Sequence, residues 1–334
     1  MAMERSMIWN WLKGFWEKPT HHAVRQAQKW GLSFSKDRII LERGRDLQVK
    51  EITIPDGVKE IGDRAFYRYH CVPICPPPEF ALTRIVLPDS ITKIGENAFR
   101  SCGQLTSINI PDGVTEIGKE AFRGCKNLTV IDIPPSVISI GEGAFCGVRK
   151  VRSDNPDFPV DQTGVLIDRK KHKLLFAPPS ISGNYSIPDG ITEIGGHAFH
   201  ECRSLSGLEI SQSVEKMGNH AFCSCSGLTD LVIHDGVREI GDLAFSGCAG
   251  LTSVVIPGSV RKIGRGAFFI CENLTKIDIR DGVTTIEDLA FSQCPKLAKV
   301  TIPNSVSEFN EFAFSMTDCE EQVRRDYPHL FEDN

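Results

Sequence analysis

The sequence predicts a β-rich, right-handed solenoid of short strands and turns, in which each turn of chain stacks on the one before. Three observations predict this fold class. The dipeptide Ala-Phe recurs ten times in the same context, seven of its nine intervals are 23 residues long, and each unit has two short apolar segments separated by turn residues. Because no unit of this size can bury its apolar face alone, stacking in register creates the core. The repeat phenylalanines are Phe66, Phe99, Phe122, Phe145, Phe199, Phe222, Phe245, Phe268, Phe291 and Phe314.

Each part of one unit has its own physical role. The unit at 105–127 reads LTSINIPDGVTEIGKEAFRGCKN. Alternating Ile108 and Ile110 predict a strand with one buried face. The Pro-Asp-Gly that follows is typical of a turn, because proline presets φ and glycine tolerates positive φ. A second short apolar segment comes next, and Phe122 and Cys125 then fill the interior.

The pattern L-x-x-I-x-I-P-x-x-V-x-x-I-G-x-x-A-F-x-x-C resembles the BspA-like class of leucine-rich repeat over about residues 51–316. The resemblance implies a leucine-rich repeat solenoid of horseshoe or superhelical form. It also implies a class of mostly surface-associated binding proteins with varied partners. It further implies that the first-strand faces form a concave sheet whose outward residues vary.

The spacing divides the chain into three parts. We expect an N-terminal Trp-rich segment and cap at 1–50, a solenoid at 51–316 and a polar tail at 317–334. The solenoid has ten regular turns and one variant turn at about 151–187, where the interval of 54 residues equals 23 plus 31.

Inside the variant turn, two apolar runs at 165–167 and 174–176 flank a polar run, which predicts a hairpin with a basic tip. The hairpin is either a variant typical of the class or a contact for an acidic partner.

All four tryptophans lie within the first 30 residues. On a helix, one apolar stripe would contain Ile8, Trp9, Leu12, Phe15 and Trp16. Two hypotheses follow. The segment caps the first turn of the solenoid, or residues 1–18 dock on a membrane or a partner, since tryptophan favours the membrane interface.

The charge balance and the apolar pattern limit the partners and the location. A formal net charge of -5 gives no reason to expect nucleic acid as a partner. No window of 18 apolar residues exists, and we identify no signal peptide, so a cytoplasmic location is expected. The resemblance implies the cell surface as the alternative.

Twelve cysteines raise the question of disulfides or metal. Seven of them follow the repeat phenylalanine by three residues, which predicts a ladder of small buried thiols. His70, Cys71 and Cys75 offer soft ligands beside several prolines, but no second ligand pair lies nearby, so no metal is predicted. The ladder consists of Cys102, Cys125, Cys202, Cys225, Cys248, Cys271 and Cys294.

Repeat consensus also explains most other polar residues. No glycine-rich phosphate loop and no nucleophile arrangement stands out, so neither an enzyme nor a cofactor is predicted.

The working surface is expected on the outward positions of the first strand, the second and fourth after each leucine. Mixed apolar and charged strips of this kind suit protein recognition, whereas an ordinary solvated sheet face is the alternative. We therefore predict a non-catalytic scaffold for an unidentified protein partner, with cell-surface adhesion or host contact as the alternative function. The candidate partner-binding residues are Arg84, Asn109, Asp132, Glu209, Asp230, Val232, Val255, Lys276 and Lys299.

Overall fold

The structure is a computed structural model that describes residue 28 and the ranges 32–35, 40–44, 50–67 and 82–331. It has two compact units, Met1–Pro159 and Val160–Asn334. The chain is a β-solenoid of about ten turns with little helix, which confirms the predicted fold class. The tryptophan stripe at 8–16, together with Cys71 and Cys75, lies outside the described residues.

In unit 1 (Met1–Pro159) a regular turn supplies a first strand from the L-x-x-I-x-I segment and a two-residue second strand that ends at the isoleucine before glycine. First strands form the parallel sheets β3–β5–β7 and β9–β11. Second strands extend the antiparallel β1–β2 pair into the sheet β1–β2–β4–β6–β8–β10. The strands are β1 (Leu32–Phe34), β2 (Ile40–Gly44), β3 (Glu51–Thr53), β4 (Glu60–Ile61), β5 (Arg84–Val86), β6 (Lys93–Ile94), β7 (Ser107–Ile108), β8 (Glu116–Ile117), β9 (Ile131–Ile133), β10 (Ser139–Ile140) and β11 (Val151–Ser153).

Unit 2 (Val160–Asn334) repeats this plan. Its second strands form one eight-stranded sheet, β12–β13–β15–β17–β19–β21–β23–β25, and its first strands form β14–β16–β18 and β20–β22–β24. The strands are β12 (Leu166–Asp168), β13 (Lys173–Phe176), β14 (Ser182–Ser186), β15 (Glu193–Ile194), β16 (Ser204–Ile210), β17 (Lys216–Met217), β18 (Asp230–Ile233), β19 (Glu239–Ile240), β20 (Ser253–Ile256), β21 (Lys262–Ile263), β22 (Lys276–Ile279), β23 (Thr285–Ile286), β24 (Lys299–Thr301) and β25 (Glu308–Phe309).

The variant turn is the predicted hairpin. Strands β12 and β13 pair antiparallel, with a bulge between Leu166 and Ile167, and β13 then pairs parallel with β15. At its tip Asp168 is buried, and its carboxylate accepts the Lys171 N–H at 3.0 Å. The hairpin therefore continues the second-strand sheet, and the residues of its tip at 169–172 are exposed.

Phenylalanine rings form the centre of each unit. In unit 2 the rings from Phe199 to Phe314 stack with centroid distances of 4.9, 5.1, 5.1, 5.4 and 5.0 Å. In unit 1 the rings from Phe66 to Phe145 stack at 5.1, 5.2 and 6.1 Å. All ten rings are buried, and the spacing is close to the strand separation of about 4.8 Å, so the strand ladders set the ring stack.

The backbone on each side of Ala-Phe is left-handed. Residues two before and two after the repeat phenylalanine adopt positive φ in turn after turn, for example Leu243 (55°), Ile270 (58°) and Leu289 (57°). Left-handed backbone suits glycine or asparagine far better than branched apolar residues. These leucine and isoleucine residues therefore carry conformational strain that the repeat consensus alone does not reveal.

A short C-terminal cap closes unit 2. Helix α1 (Glu320–Asp326) buries Val323, and a 3₁₀ turn follows at Pro328–Leu330. The Tyr327 hydroxyl accepts the Ile302 N–H at 3.2 Å, and the Phe331 ring meets Phe309 edge-on at 5.2 Å. Part of the predicted polar tail at 317–334 thus covers the apolar side of the last turn.

Candidate functional site

The three candidate residues in unit 1 all interact with neighbouring turns. Arg84 lies 3.5 Å from Glu51 in an exposed ion pair. Asp132 accepts two hydrogen bonds from Arg152, at 2.7 and 3.2 Å.

Asn109 has a more specific role in the same unit. Its side chain accepts the Leu87 N–H and donates to the Leu87 carbonyl, each at 3.0 Å. It therefore replaces the ladder bonds that a longer β7 would make, so its exposed side chain already serves a structural purpose.

In unit 2 the other six candidate residues lie on first strands in two outward columns. Register pairs Ser186 with Glu209 and Glu209 with Val232, and on the next sheet Val255 pairs with Asp278. In the other column Lys276 pairs with Lys299, while Asp230 lies opposite Gly207. We call these six residues the outward face of unit 2: Glu209, Asp230, Val232, Val255, Lys276 and Lys299.

The middle of this outward face is apolar. Val232 is 48% exposed and Val255 is 50% exposed, and both are among the large apolar side chains that the described residues expose. Singly exposed apolar residues are ordinary, but two at equivalent positions of consecutive turns give this face an apolar centre.

At its acidic end, Glu209 is the centre of a hydrogen-bonded group. Its Oε2 accepts the Ser186 hydroxyl at 2.9 Å, and its Oε1 lies 3.0 Å from Nε2 of His234. The hydrogen bond from His234, followed by that from Ser186, holds the pKa of this carboxyl below its usual range. Glu209 therefore stays ionised, and the acidic end keeps its charge.

A shallow groove borders this group. Its walls include Ser186, Asp189, Glu209, Ser211 and His234. The Ser211 hydroxyl is buried and donates to Asp189 at 2.6 Å. The sequence prediction missed His234 and Ser211. Both occupy the position where other turns have proline, as at Pro111 and Pro257. The absence of proline at this position in the sequence could have identified them.

The hydrogen bonds of this group do not activate a nucleophile. A catalytic serine needs its hydroxyl bonded to the histidine, with the acid behind the histidine. Here Ser186 and His234 both bond to the same carboxylate, so the acid lies between them. Glu209 and His234 also supply one carboxylate and one imidazole, whereas a zinc site takes three or four protein ligands. The arrangement suits recognition of a polar or cationic group.

The basic end consists of Lys276 and Lys299. Both are exposed, and within the part of unit 2 that the structure describes neither takes part in an ion pair. Nearby Asp278 is bound by Arg280 at 3.1 Å and is mostly buried beneath it. The two ammonium groups are therefore available to an external anion.

The cysteines of the ladder point toward backbone. The Cys125 thiol donates to the Phe99 carbonyl at 3.1 Å, and the Cys225 thiol donates to the Phe199 carbonyl at 3.1 Å. The same bond recurs from Cys248 and Cys271 to phenylalanine carbonyls at 3.3 Å. All ten described cysteines are thiols, and nine of them are buried. The ladder is therefore part of the core.

Comparison with known proteins agrees with this architecture. A family model described as "BspA type Leucine rich repeat region (6 copies)" matches residues 45–77, 78–158, 176–269 and 238–323. The chain belongs to the BspA-type leucine-rich repeat family. The search of curated proteins found no match.

Solved structures share the fold of this BspA-type chain. A leucine-rich repeat protein from Eubacterium ventriosum is 21% identical, with a TM-score of 0.61 over 81% of this chain and 83% of that chain. The pneumococcal vaccine antigen PcpA is 20% identical, with a TM-score of 0.59 over 85% and 73%. A leucine rich cell surface protein from Faecalibacterium prausnitzii is 24% identical, with a TM-score of 0.48 over 85% and 95%. The two likenesses with TM-scores above 0.5 show the shared fold.

Within the described part of this BspA-type chain, no helix has both the length and the apolar character needed to cross a membrane.

Proposed function

We propose that the protein is a non-catalytic protein-binding scaffold and that the outward face of unit 2 is its binding surface. The observation that carries the proposal is the order of side chains across consecutive first strands: acidic Glu209 and Asp230, then Val232 and Val255, then basic Lys276 and Lys299. An apolar centre flanked by charged residues is typical of a protein-recognition surface.

Two features of the fold support this proposal. The outward side chains stand on strands whose backbones are fixed by ladder bonds to neighbouring turns, so little conformational entropy is lost on binding. In β20 and β22 the inward residues Val254, Ile256, Ile277 and Ile279 are buried, so the outward residues of these strands can change without disturbing the core.

A pull-down with a charge-reversed variant tests the proposal. The double variant Glu209→Lys with Asp230→Lys should keep its fold by circular dichroism but lose partners that the wild-type chain captures. The matched control is Glu311→Lys with Glu321→Lys, which makes the same charge change at exposed positions that lie on no first strand. If the wild type and the Glu209→Lys, Asp230→Lys variant capture the same partners, this surface is not the binding site.

Cell-surface adhesion or host contact is the second candidate function. Its support is the occurrence of the same fold in PcpA, which is known as a pneumococcal vaccine antigen. Protease treatment of intact cells separates the candidates, because a surface protein is cleaved under those conditions and an internal scaffold is spared.

A further inference from the structure

The charges on the outward face of unit 2 are ordered along the stack. Glu209 and Asp230 lie on β16 and β18, while Lys276 and Lys299 lie on β22 and β24. Val232 on β18 and Val255 on β20 separate the two ends. A surface that changes from negative through neutral to positive is complementary to its own copy turned end for end.

A two-fold axis parallel to the strands, midway between β18 and β20, produces this arrangement. It places β18 opposite β20, β16 opposite β22 and β14 opposite β24 of the second copy. Val232 then faces Val255 of the copy, Glu209 lies within reach of its Lys276 and Arg280, and Asp230 lies beside its Lys276. A closed dimer of this kind uses the same patch twice.

One pair in this arrangement brings like charges together, because Glu209 lies opposite Asp278 of the copy. Within its own chain, however, Asp278 is only 19% exposed and is bound to Arg280 at 3.1 Å. The exposed charge at that end is therefore carried by Arg280 and the two lysines, and the complementarity of the ends holds.

The first strands at the centre of this face are not hydrogen-bonded to one another. Among the described residues of unit 2, ladder bonds join β19 to β21, but the first-strand sheets end at β18 and begin again at β20. The two-fold axis therefore passes through a break in the first-strand ladder, between Val232 and Val255.

We propose that the outward face of unit 2 binds a second copy of this chain in a symmetric dimer. The inference rests on the proposed function, since the same face does the binding, and it names the partner. Six strands at about 4.8 Å spacing make a face on the order of 30 Å long, smaller than the face of a permanent dimer. The association is therefore weak and reversible.

Sedimentation velocity of the full chain tests the proposal. With protein at about 5–200 µM in low salt, the wild type should shift from a monomer of 37.0 kDa toward a dimer as concentration rises, and added salt should reverse the shift. Glu209→Lys with Asp230→Lys makes the whole face basic, and Lys276→Glu with Lys299→Glu makes it acidic. Each variant alone should stay monomeric because its own copies repel.

Mixing the two variants is the decisive measurement. Their faces are then fully opposite in charge, so the mixture should form a heterodimer at least ten-fold tighter than the wild-type dimer. The Glu311→Lys and Glu321→Lys control keeps the wild-type outward face, so it should dimerise as the wild type does, and its mixture with the acidic variant should give no heterodimer tighter than the wild-type dimer. A wild type that stays monomeric at 200 µM, or a mixture that does not associate, would overturn the dimer. If the pull-down partners still change in that case, the proposed function stands with a different protein as partner.

Discussion

The backbone N–H of Gly282 donates to the hydroxyl of Ser305 in the next turn at 2.9 Å. That hydroxyl donates in turn to the Val283 carbonyl at 2.7 Å. The same clamp joins Gly190 to Ser213, where the two bonds are 3.2 and 2.8 Å long. At this position glycine in one turn is followed by serine in the next, as also at Gly236 and Ser259, so in unit 2 this bond recurs at every second turn while the core columns repeat at every turn.

Ser305→Ala should destabilise the protein by about 1–3 kcal/mol, because it leaves the Gly282 N–H and the Val283 carbonyl without this partner. Ser307→Ala, two residues away at an exposed position, is the matched control and should change stability by less than about 0.5 kcal/mol. Urea unfolding followed by circular dichroism measures both. Equal stability of the two variants would contradict the role given to the clamp.

Ile270 should be replaceable with a gain in stability. It has φ of 58° and is only half-buried, whereas the equivalent residue one turn earlier is Gly247 with φ of 71°. A left-handed β-branched residue costs about 1–2 kcal/mol, so Ile270→Asn should stabilise and Gly247→Ile should destabilise by amounts of that order. Thermal unfolding measures both variants, and the prediction requires that Ile270→Asn raises the melting temperature and that Gly247→Ile lowers it. A loss of stability in Ile270→Asn would mean that its apolar contacts outweigh the strain.

Sequence reasoning predicted much of this fold, because each core column repeats every 23 residues and any one turn predicts its neighbours. The variant hairpin could be predicted as well, since its two apolar runs flank a polar run. The left-handed positions could not be predicted, because residues as different as Glu120, His220 and Leu243 occupy one column.

The candidate surface was harder to predict than the core. Outward positions follow from strand alternation, so Val232 and Val255 were found on the exposed face where the pattern puts them. Side-chain partners do not follow from alternation. Asn109 replaces ladder bonds, and Glu209 accepts a hydrogen bond from His234, a residue 25 positions later that lies beside it only because the turns stack.

Phe245→Ala should cost about 3–5 kcal/mol, because the ring is fully buried between Phe222 and Phe268 at 5.1 Å on each side. Coupling between adjacent turns should spread the effect, so amide hydrogen exchange should accelerate in β17 and β21. Phe312→Ala, at a ring that is 51% exposed, is the control and should cost far less. Loss confined to one turn would contradict the coupled stack.

The Cys125 and Cys248 thiols of the ladder should resist alkylation while the protein is folded. Burial raises the pKa of the Cys125 and Cys248 thiols well above the ordinary value, so the reactive thiolate is scarce as well as shielded. Cys223 is half-buried, and of the ten described cysteines it should react with iodoacetamide first. Mass spectrometry after timed labelling gives the order. Early modification of Cys248 would show that the ladder opens more readily than its burial indicates.

Glu209 should titrate below the usual range of about 4.3, because the His234 hydrogen bond favours its ionised form. A lowered folded-state pKa contributes stability that is present above the unfolded value and is lost as pH falls through the folded one. His234→Ala should therefore raise the pKa of Glu209 and reduce the difference in stability between neutral and acidic solution. Ser186→Ala removes the lesser hydrogen bond and should raise the pKa by a smaller amount. Side-chain carbon NMR during a pH titration measures these values, and an unchanged Glu209 titration in His234→Ala would show that the 3.0 Å contact does not persist in solution.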